Sequence, residues 1–367
     1  GAILGYAESS VKINNCQVDN SSIKATCSAG GIVGSAHSSS VIKSCRVYTA
    51  TNVTTVKGAG LNTKFVGGIA GRIMSSSLIS SCKVNISGKI ALGSGVYGYA
   101  GGMAGYSSGN INSSLVSANI SANNSDNDYA GGVVGYSINR INTATIKNST
   151  ISGYYAGGIG GALNISTTIT LSFSNYKKGY RKEDLSSSNY SQHVTLVAVK
   201  NSVTVKGNEI GGLFGIINSG VVANSYAMAN LQGTSSNSVK GGFASSIRSS
   251  GFNNNGGTGS VGIVENCYSA CSFSGSGANY AITRSEIHTY ASFGSGDFRN
   301  AGYCFDYLFD KTVAGNAKYS SGSTFGDNVK AKKTTSEMKS SSTYSAKNFS
   351  TYYWNISNGY ATLKSEF

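Results

Sequence analysis

The side chains that could perform acid–base chemistry are few and scattered along this sequence. In the basic first half of the 367-residue chain, Asp126 and Asp128 form the one close pair of carboxylates, and they lie in an Asn- and Ser-rich turn. Hydrolysis of a glycosidic bond needs two carboxyl groups about 5–10 Å apart across one sugar. The histidines, His37, His193 and His288, are isolated from any nucleophile in the sequence. These residues favour a protein that is not an enzyme and that uses no cofactor.

Cysteine chemistry is the next possibility. Seven cysteines are present, and their spacings match no zinc or Cys-x-x-Cys site, so no metal is expected. Cys16, Cys45 and Cys82 each follow a glycine by eleven residues, which places them at equivalent points of a repeat. We expect them to stack in the interior as thiols, because buried cysteine packs as a small apolar residue. Reactive, metal-binding and disulfide-linked roles are the alternatives.

Positive charge indicates the class of partner. The net charge is +14, from 29 Lys and Arg against 15 Asp and Glu. Such an excess favours polyanionic partners, although Lys and Arg also keep β-surfaces soluble and discourage edge pairing. An acidic glycan or a cell-wall polymer is the expected ligand, and nucleic acid is the less favoured one. The residues expected on one basic outer face are Lys12, Lys43, Arg46, Lys83 and Lys147.

A repeated Gly-Gly-x-x-Gly phrase sets the elements that would position these side chains. Its second glycine recurs at steps of 26 to 54 residues, and a fixed phrase at such a period indicates a solenoid, a propeller or an array. Glycine suits a corner where φ is positive or where another backbone comes too close for a side chain. The glycines expected at equivalent corners are Gly31, Gly68, Gly102, Gly132, Gly158 and Gly212.

Two further columns support stacked repeats. Aromatic residues precede the Gly-Gly pair by two positions, which predicts a ladder of Phe65, Tyr99, Tyr129 and Tyr155. An Ile-x-x-small-x-Val pattern follows the phrase and indicates a half-buried strand. A leucine-rich repeat would need a leucine pattern that is missing, and several repeats are too short for a propeller blade. The sequence therefore predicts an all-β protein, a right-handed parallel β-helix with a non-repetitive C-terminal cap.

Breaks in the repeat suggest the boundaries within the chain. Residues 1–174 and 208–275 are expected to form β-helix rungs, separated by a charged insertion and return strand at 175–207. Residues 276–367 lose the glycine phrase and are expected to cap the last rung. No apolar run is long enough to predict a membrane span. The N-terminal edge begins inside a repeat, so further copies or preceding repeats are expected to pack there.

The later repeats resemble the GLUG motif. Residues 211–215 (Gly-Gly-Leu-Phe-Gly) are followed by Asn-Ser-Tyr-Ala at 224–227, and Asn-Cys-Tyr recurs at 266–268. The C-terminal Trp-Asn-Ile and Gly-Tyr-Ala-Thr-Leu segments, at 354–356 and 359–363, are similar to the end of that family, although Ala361 stands where proline is common. The resemblance implies a secreted or cell-surface, adhesin-like protein.

We therefore expect a structural or adhesive repeat domain, extracellular or at the cell surface, with a filament subunit as one possible form. The alternative is a carbohydrate-binding or polysaccharide-degrading β-helix protein.

Overall fold

The chain forms an all-β parallel β-helix, as the repeat predicts. The computed structural model describes residues 1–56, 63–123, 125–165, 168–171, 193–250, 257–284, 287–288, 302–318, 331–357 and 359–366. Each turn of the coil, here called a rung, consists of several short strands. Almost every strand pairs in parallel with the equivalent strand of the next rung. In the described part of the chain, no helix is both long and apolar enough to cross a membrane.

The N-terminal rungs are built from short strands separated by tight corners. Their bounds are β1 Leu4–Ala7, β2 Lys12–Asn14, β3 Gln17–Asp19, β4 Ser22–Ala25, β5 Ser28–Gly30, β6 Val33–Ala36, β7 Val41–Lys43, β8 Arg46–Thr49, β9 Asn52–Thr55, β10 Thr63–Gly67, β11 Ala70–Ile73, β12 Leu78–Ser80, β13 Lys83–Ala91, β14 Tyr97–Gly101, β15 Ala104–Ser107, β16 Asn110–Ser121, β17 Tyr129–Gly131, β18 Val134–Ser137, β19 Ile141–Ile146 and β20 Ser149–Gly157.

In the described residues, the C-terminal half continues the coil and adds three short helices. Its elements are β21 Gly160–Asn164, β22 Thr168–Leu171, β23 Val194–Val199, β24 Val203–Gly211, β25 Phe214–Ala223, β26 Tyr226–Ala227, β27 Asn230–Gly233, β28 Val239–Gly241, β29 Ala244–Ile247, β30 Ser249–Ser250, β31 Gly257–Glu265, β32 Tyr268–Ser269, β33 Ser272–Gly275, β34 Ala278–Tyr280, β35 Ile287–His288, β36 Gly302–Phe305, β37 Leu308–Asp310, α1 Lys311–Ala314, β38 Lys332–Lys333, α2 Thr335–Met338, α3 Ser341–Ser345, β39 Trp354–Asn355 and β40 Thr362–Leu363.

Aliphatic columns inside the coil form the core. One runs through the x position that follows each glycine pair, where Ile32 N donates to Ile69 O and Ile69 N donates to Met103 O. These three side chains have no solvent exposure. Burying such a side chain typically stabilises a fold by about 1.5–3 kcal/mol. The column continues with Val133, Ile159, Leu213, Phe243 and Ile282.

The phrase glycines lie at stacked corners where the rungs come very close. Gly31 N donates to Gly68 O at 3.0 Å, and Gly68 N donates to Gly102 O at 3.1 Å. The expected corner glycines have no φ in the left-handed region. A Cβ on Gly102 would instead lie 2.0 Å from Gly132 O and 2.5 Å from a methyl carbon of Val116. Close approach of the next rung, and not positive φ, therefore explains this requirement for glycine.

Positive φ occurs at a different corner, directly before the small residue of the Ile-x-x-small-x-Val pattern. We call the stacked small residues of successive rungs the small-residue column. Asn15 has a φ of 57° and Ser44 a φ of 55°. Asn15 lies between β2 and β3, so Ile13 and Val18 both point inward although they are an odd number of positions, five, apart along the chain. The expectation of one half-buried strand is thus wrong here, because a left-handed residue turns the chain in its middle. Asn tolerates this conformation better than most residues, which accounts for the Asn of the Asn-Ser-Tyr and Asn-Cys-Tyr segments.

The long repeat step is an excursion from the coil. β22 leaves the parallel array and pairs antiparallel with β31, as β30 also does. Residues 172–192, which contain most of the predicted charged insertion, lie outside the described residues. The coil resumes with β23, which pairs with β19 and places Val197 beside Ala144 in the small-residue column.

The coil extends beyond residue 275, as far as β38, which pairs with β37. Helix α1 directly follows β37, with the Asp310 carboxylate accepting from Thr312 N at 2.8 Å, and its Ala314 packs against the core. The aromatic C-terminal residues pack on the outer flank of the coil, because the outward-facing tyrosines of β26 and β32, which these residues bury, supply an apolar face there. That residues 276–367 cap the last rung stays a prediction.

Candidate functional site

Four of the five residues predicted for a basic outer face lie on adjacent strands of the N-terminal rungs. Arg46 of β8 and Lys83 of β13 pair in register, directly above Gln17 of β3. Their neighbours Val47 and Val84 are fully buried, so strand alternation directs Arg46 and Lys83 outward. Arg46 is exposed and Lys83 half-buried.

Lys12 and Lys43 extend this face, whereas Lys147 does not share its column. Lys12 of β2 and Lys43 of β7 are exposed on adjacent rungs. Lys12 pairs with Val41, and Lys43 lies two positions further along β7. The residue of β19 in the Arg46–Lys83 column is Thr145, so Lys147 lies two positions further along. The reason is the shorter spacing of this rung, in which Ala144 follows its glycine by nine residues instead of eleven.

The same outer column changes character along the coil. After Lys83 it continues with Leu115, Thr145, Ala198, Tyr226, Tyr268 and Leu308. From Thr145 onward these side chains are buried, the later ones beneath the C-terminal segment. The Tyr268 hydroxyl donates to Ala361 O at 2.7 Å, and the Tyr226 hydroxyl donates to Glu366 Oε1 at 2.7 Å. The exposed basic face is therefore confined to the first rungs.

The three predicted cysteines occupy consecutive rungs of one column. Arg46 N donates to Cys16 O, and Lys83 N donates to Cys45 O, which fixes their register. Cys45 and Cys82 are fully buried and Cys16 is half-buried. The Cys82 thiol contacts the Ser80 carbonyl at 3.4 Å, and its pKa is raised by its hydrogen bond with Cys45 and by burial. The cysteines of this column therefore contribute to core packing, and the thiols of Cys45 and Cys82 are not accessible to solvent.

The predicted aromatic ladder is present on the strand that precedes the glycine corner. Phe65, Tyr99, Tyr129 and Tyr155 pair in register on successive rungs. Ring centroids are 5.6 Å apart for Phe65–Tyr99, 5.4 Å for Tyr99–Tyr129 and 4.7 Å for Tyr129–Tyr155. The rings are half-buried and lie on the outer surface.

A second aromatic row, which the sequence analysis missed, faces this ladder. Tyr106 and Tyr136 follow the last glycine of their phrases and pair in register on β15 and β18. They contact the ladder across the corner, at 5.9 Å for Phe65–Tyr106 and 5.2 Å for Tyr99–Tyr136. The Gly-Tyr dipeptide that closes the phrase, present also at Tyr6, was the available signal. We call this surface the aromatic elbow, and its members are Phe65, Tyr99, Tyr106, Tyr129, Tyr136 and Tyr155.

The closing glycine of the phrase makes room for the elbow. A Cβ on Gly135 would lie 2.8 Å from the Tyr99 Cβ, and one on Gly161 would lie 2.7 Å from the Tyr129 Cβ. Outward side chains of the strands before and after the glycine phrase touch here, so the outer surface is concave at this corner. A Cβ at these positions would also meet the backbone of the neighbouring rung, 2.6 Å from Gly105 O for Gly135 and 2.7 Å from Gly135 O for Gly161. Rung stacking thus requires glycine at both ends of the phrase, and ring packing adds a second reason at its closing glycine.

Charged residues flank the elbow at both ends. Arg72 shares the column of Tyr106, lies 5.6 Å over the Phe65 ring and bonds to Ser35, with His37 at 3.5 Å. At the other end Glu209 follows Tyr155 in register and pairs with Arg284 at 3.2 Å.

Burial fixes the protonation of the groups in and around the elbow. It raises the pKa of the Tyr99, Tyr106, Tyr129 and Tyr155 phenols, and nearby phenols act in the same direction on the first three of these. The phenols are therefore neutral hydrogen-bond donors. Burial, with the Arg72 charge second, lowers the pKa of His37.

The carboxylate pair of the sequence does not form a catalytic dyad. Asp128 is fully buried and accepts from Gly98 N at 2.9 Å and from Ser125 N at 3.0 Å, so it holds a turn together. Asp126 is exposed. Within the described ranges, no three His, Cys, Asp or Glu side chains come together as a metal site would require. The side chain of His288 lies outside the described ones.

Comparisons with known proteins add little to this picture. No model of a known protein family matches the sequence, and no curated protein does. Among solved structures the chain is similar to a candidate immunoglobulin A1 protease from Bacteroides ovatus, with 15% identity and a TM-score of 0.42. The match covers 96% of this chain and 76% of that one. A similarity at this level has no bearing on function.

Proposed function

We propose that this chain is a structural and adhesive repeat domain of a secreted or cell-surface protein, whose basic outer face binds a polyanionic glycan or wall polymer. The observation that carries the proposal is the register of Arg46 and Lys83 on adjacent rungs, with Lys12 and Lys43 on the next strip. Adjacent rungs are about 4.8 Å apart, so these charges lie close enough to act on one polyanion.

The resemblance to GLUG repeats supports a surface location and an adhesive role. A filament subunit is one form that such a domain takes, and the solenoid suits either use because its rungs stack along one axis. A polysaccharide-degrading enzyme is the second candidate. The buried turn position of Asp128 speaks against it at the one place where the N-terminal half of the sequence offered paired carboxylates.

Binding to heparin and to poly(glycerol phosphate) tests the proposed basic face. We expect the double variant Arg46→Ser, Lys83→Ser to lose affinity for both polymers at about 0.05 M salt, and we expect wild-type binding to weaken at about 0.5 M, where the Debye length is roughly threefold shorter. The matched control is Lys311→Ser, Lys318→Ser, which removes the same charge from exposed positions elsewhere. Equal losses in both double variants, or binding that salt does not change, would contradict the proposal.

A further inference from the structure

The aromatic elbow is a second, chemically different surface on the same coil. The two rows of rings lie along the axis of the helix and contact each other from both sides of the glycine corner. Its side chains supply apolar ring surface together with phenolic hydroxyls. A surface of this composition suits a ligand that has both apolar faces and hydroxyl groups, repeated along a line.

We propose that the aromatic elbow binds a linear, carboxylate-bearing glycan that lies parallel to the helix axis. Each pyranose unit places a face of C–H groups against the rings, and its hydroxyls meet the phenols. This site is separate from the basic outer face and does not depend on it.

The repeat distance of the rungs supports a sugar chain. Equivalent rings are offset by the strand spacing of about 4.8 Å, which is close to the length of one pyranose ring in an extended polysaccharide. An extended peptide advances by about 3.3 Å per residue, and its side chains alternate between two faces. The spacing of the side chains on one face therefore does not match the spacing of consecutive rungs. A polyproline helix, at about 3.1 Å per residue and three residues per turn, would engage every second rung.

Charge at the ends of the elbow supports a carboxylate on that glycan. Arg72 continues the second row and lies over the Phe65 ring, and its neighbour His37 does not offset the guanidinium charge. At the far end, Glu209 balances Arg284, and the half-buried Arg248 adds positive charge there. Asp126 adds a negative charge near Tyr155. Three arginines against these two carboxylates still leave an excess of positive charge, which complements an acidic ligand and disfavours a cationic one.

The fold itself indicates that the rings can be removed without loss of the coil. Ser28 occupies the position of Phe65 one rung earlier, and Ala162 occupies the position of Tyr136 one rung later. Small residues are therefore compatible with the geometry of both rows. The double variant Tyr99→Ala, Tyr136→Ala is the natural test, and Tyr352→Ala is a matched control because that ring is 78% exposed and lies outside the elbow.

Calorimetric titration with defined oligosaccharides tests the inference. We expect hexagalacturonate to bind more tightly than digalacturonate and than neutral cellohexaose, because it spans several rungs and carries carboxylates. Removal of the two rings should weaken hexagalacturonate binding by about tenfold or more, since each ring contact is worth roughly two- to tenfold. Arg72→Gln should reduce the preference for the acidic over the neutral hexamer, and Tyr352→Ala should change nothing.

Three outcomes would overturn the inference. Hexagalacturonate binding that survives in the ring variant, with its circular dichroism unchanged, excludes the elbow as the site. Loss of that binding only in Arg46→Ser, Lys83→Ser assigns it to the basic outer face and leaves the proposed function intact. Tighter binding of a decaproline peptide than of any glycan assigns the elbow to a polyproline ligand.

Discussion

At the scale of single residues, the phrase glycines are where the sequence is most constrained. Their role is spatial, because the carbonyl of the next rung occupies the place of a side chain. Where the phrase decays, Ser245 replaces its closing glycine, and the Ser245 hydroxyl donates to Gly215 O at 2.6 Å. At this position a side chain fits in place of glycine because its hydroxyl forms a hydrogen bond with the carbonyl of the neighbouring rung.

Gly102→Ala should therefore destabilise the coil strongly. The new Cβ would overlap Gly132 O at 2.0 Å, and a clash with backbone cannot be relieved by rotating a side chain. We expect a loss of at least about 2–3 kcal/mol in the free energy of unfolding, measured in urea. Gly5→Ala is the control, since a Cβ there meets nothing within 4 Å, and its effect should stay within about 0.5 kcal/mol. Equal effects of the two substitutions would contradict this account of the phrase.

His193 should make stability depend on pH. Burial, and secondarily the charge of Arg140, lowers its pKa to about 4, and its Nδ1 accepts from Val221 N at 3.1 Å. The unfolded chain binds the proton near pH 6.5, so between about pH 6.5 and 4 it holds more protons than the folded chain. Folding stability should thus fall as pH falls through this window, by roughly 3 kcal/mol in full.

Urea unfolding at several pH values, with His193→Gln beside the wild type, measures this contribution. The variant cannot take up the proton and should show a flatter dependence between about pH 6.5 and 4. If the two curves run parallel over that window, other groups cause the loss and the assignment to His193 is wrong.

At the scale of elements, the C-terminal segment of residues 334–366 is a separate layer on one flank of the coil. Its core contains Trp354, which is 1% exposed and whose ring lies 4.9 Å from Phe349 and 5.8 Å from Tyr268. Lys200 and Tyr226 of the coil both bond to Glu366. The layer is therefore held by a small aromatic core and by several polar contacts, which also include Tyr268 with Ala361 O and Tyr360 with Asp310.

Trp354→Ala should release this layer while the coil stays folded. Truncation of a buried tryptophan typically lowers stability by about 3–5 kcal/mol, which is large compared with what so small an aromatic core contributes. Limited proteolysis should then cut within residues 334–366 and leave the N-terminal rungs intact, because rungs contact mainly their neighbours. Tyr352→Ala, at a 78% exposed position, should be as resistant as the wild type. Simultaneous loss of coil and segment would show that the two are one cooperative unit.

At the scale of the whole molecule, the coil presents different surfaces along its length. The outer column that carries Arg46 and Lys83 in the first rungs carries Tyr226 and Tyr268 in later rungs, where the C-terminal layer covers it. The aromatic elbow lies on other strips of the same rungs. In the described residues, β1 to β4 pair only with the following rung. That further copies or preceding repeats pack there stays a prediction.

The architecture could be predicted from the repeat, because a β-helix places the same local requirements on every rung. The glycine phrase, the cysteine column and the aromatic ladder all follow from register, and register follows from spacing. Arg46 and Lys83 could be placed together for the same reason. Lys147 could not, since its rung is shorter between the glycine and the small residue, and a change of two residues shifts the column.

The contacts between outward side chains of different strands could not be predicted in the same way. Tyr106 and Tyr136 lie on a different strip from the ladder, and nothing in their spacing shows that the corner brings the two strips face to face. The docking of the C-terminal segment on the flank was equally hidden, because it depends on Tyr226 and Tyr268 standing where earlier rungs have charge. Periodicity encodes contacts between equivalent residues, whereas contacts between strips and layers depend on the angle of a corner and on the path of the returning chain.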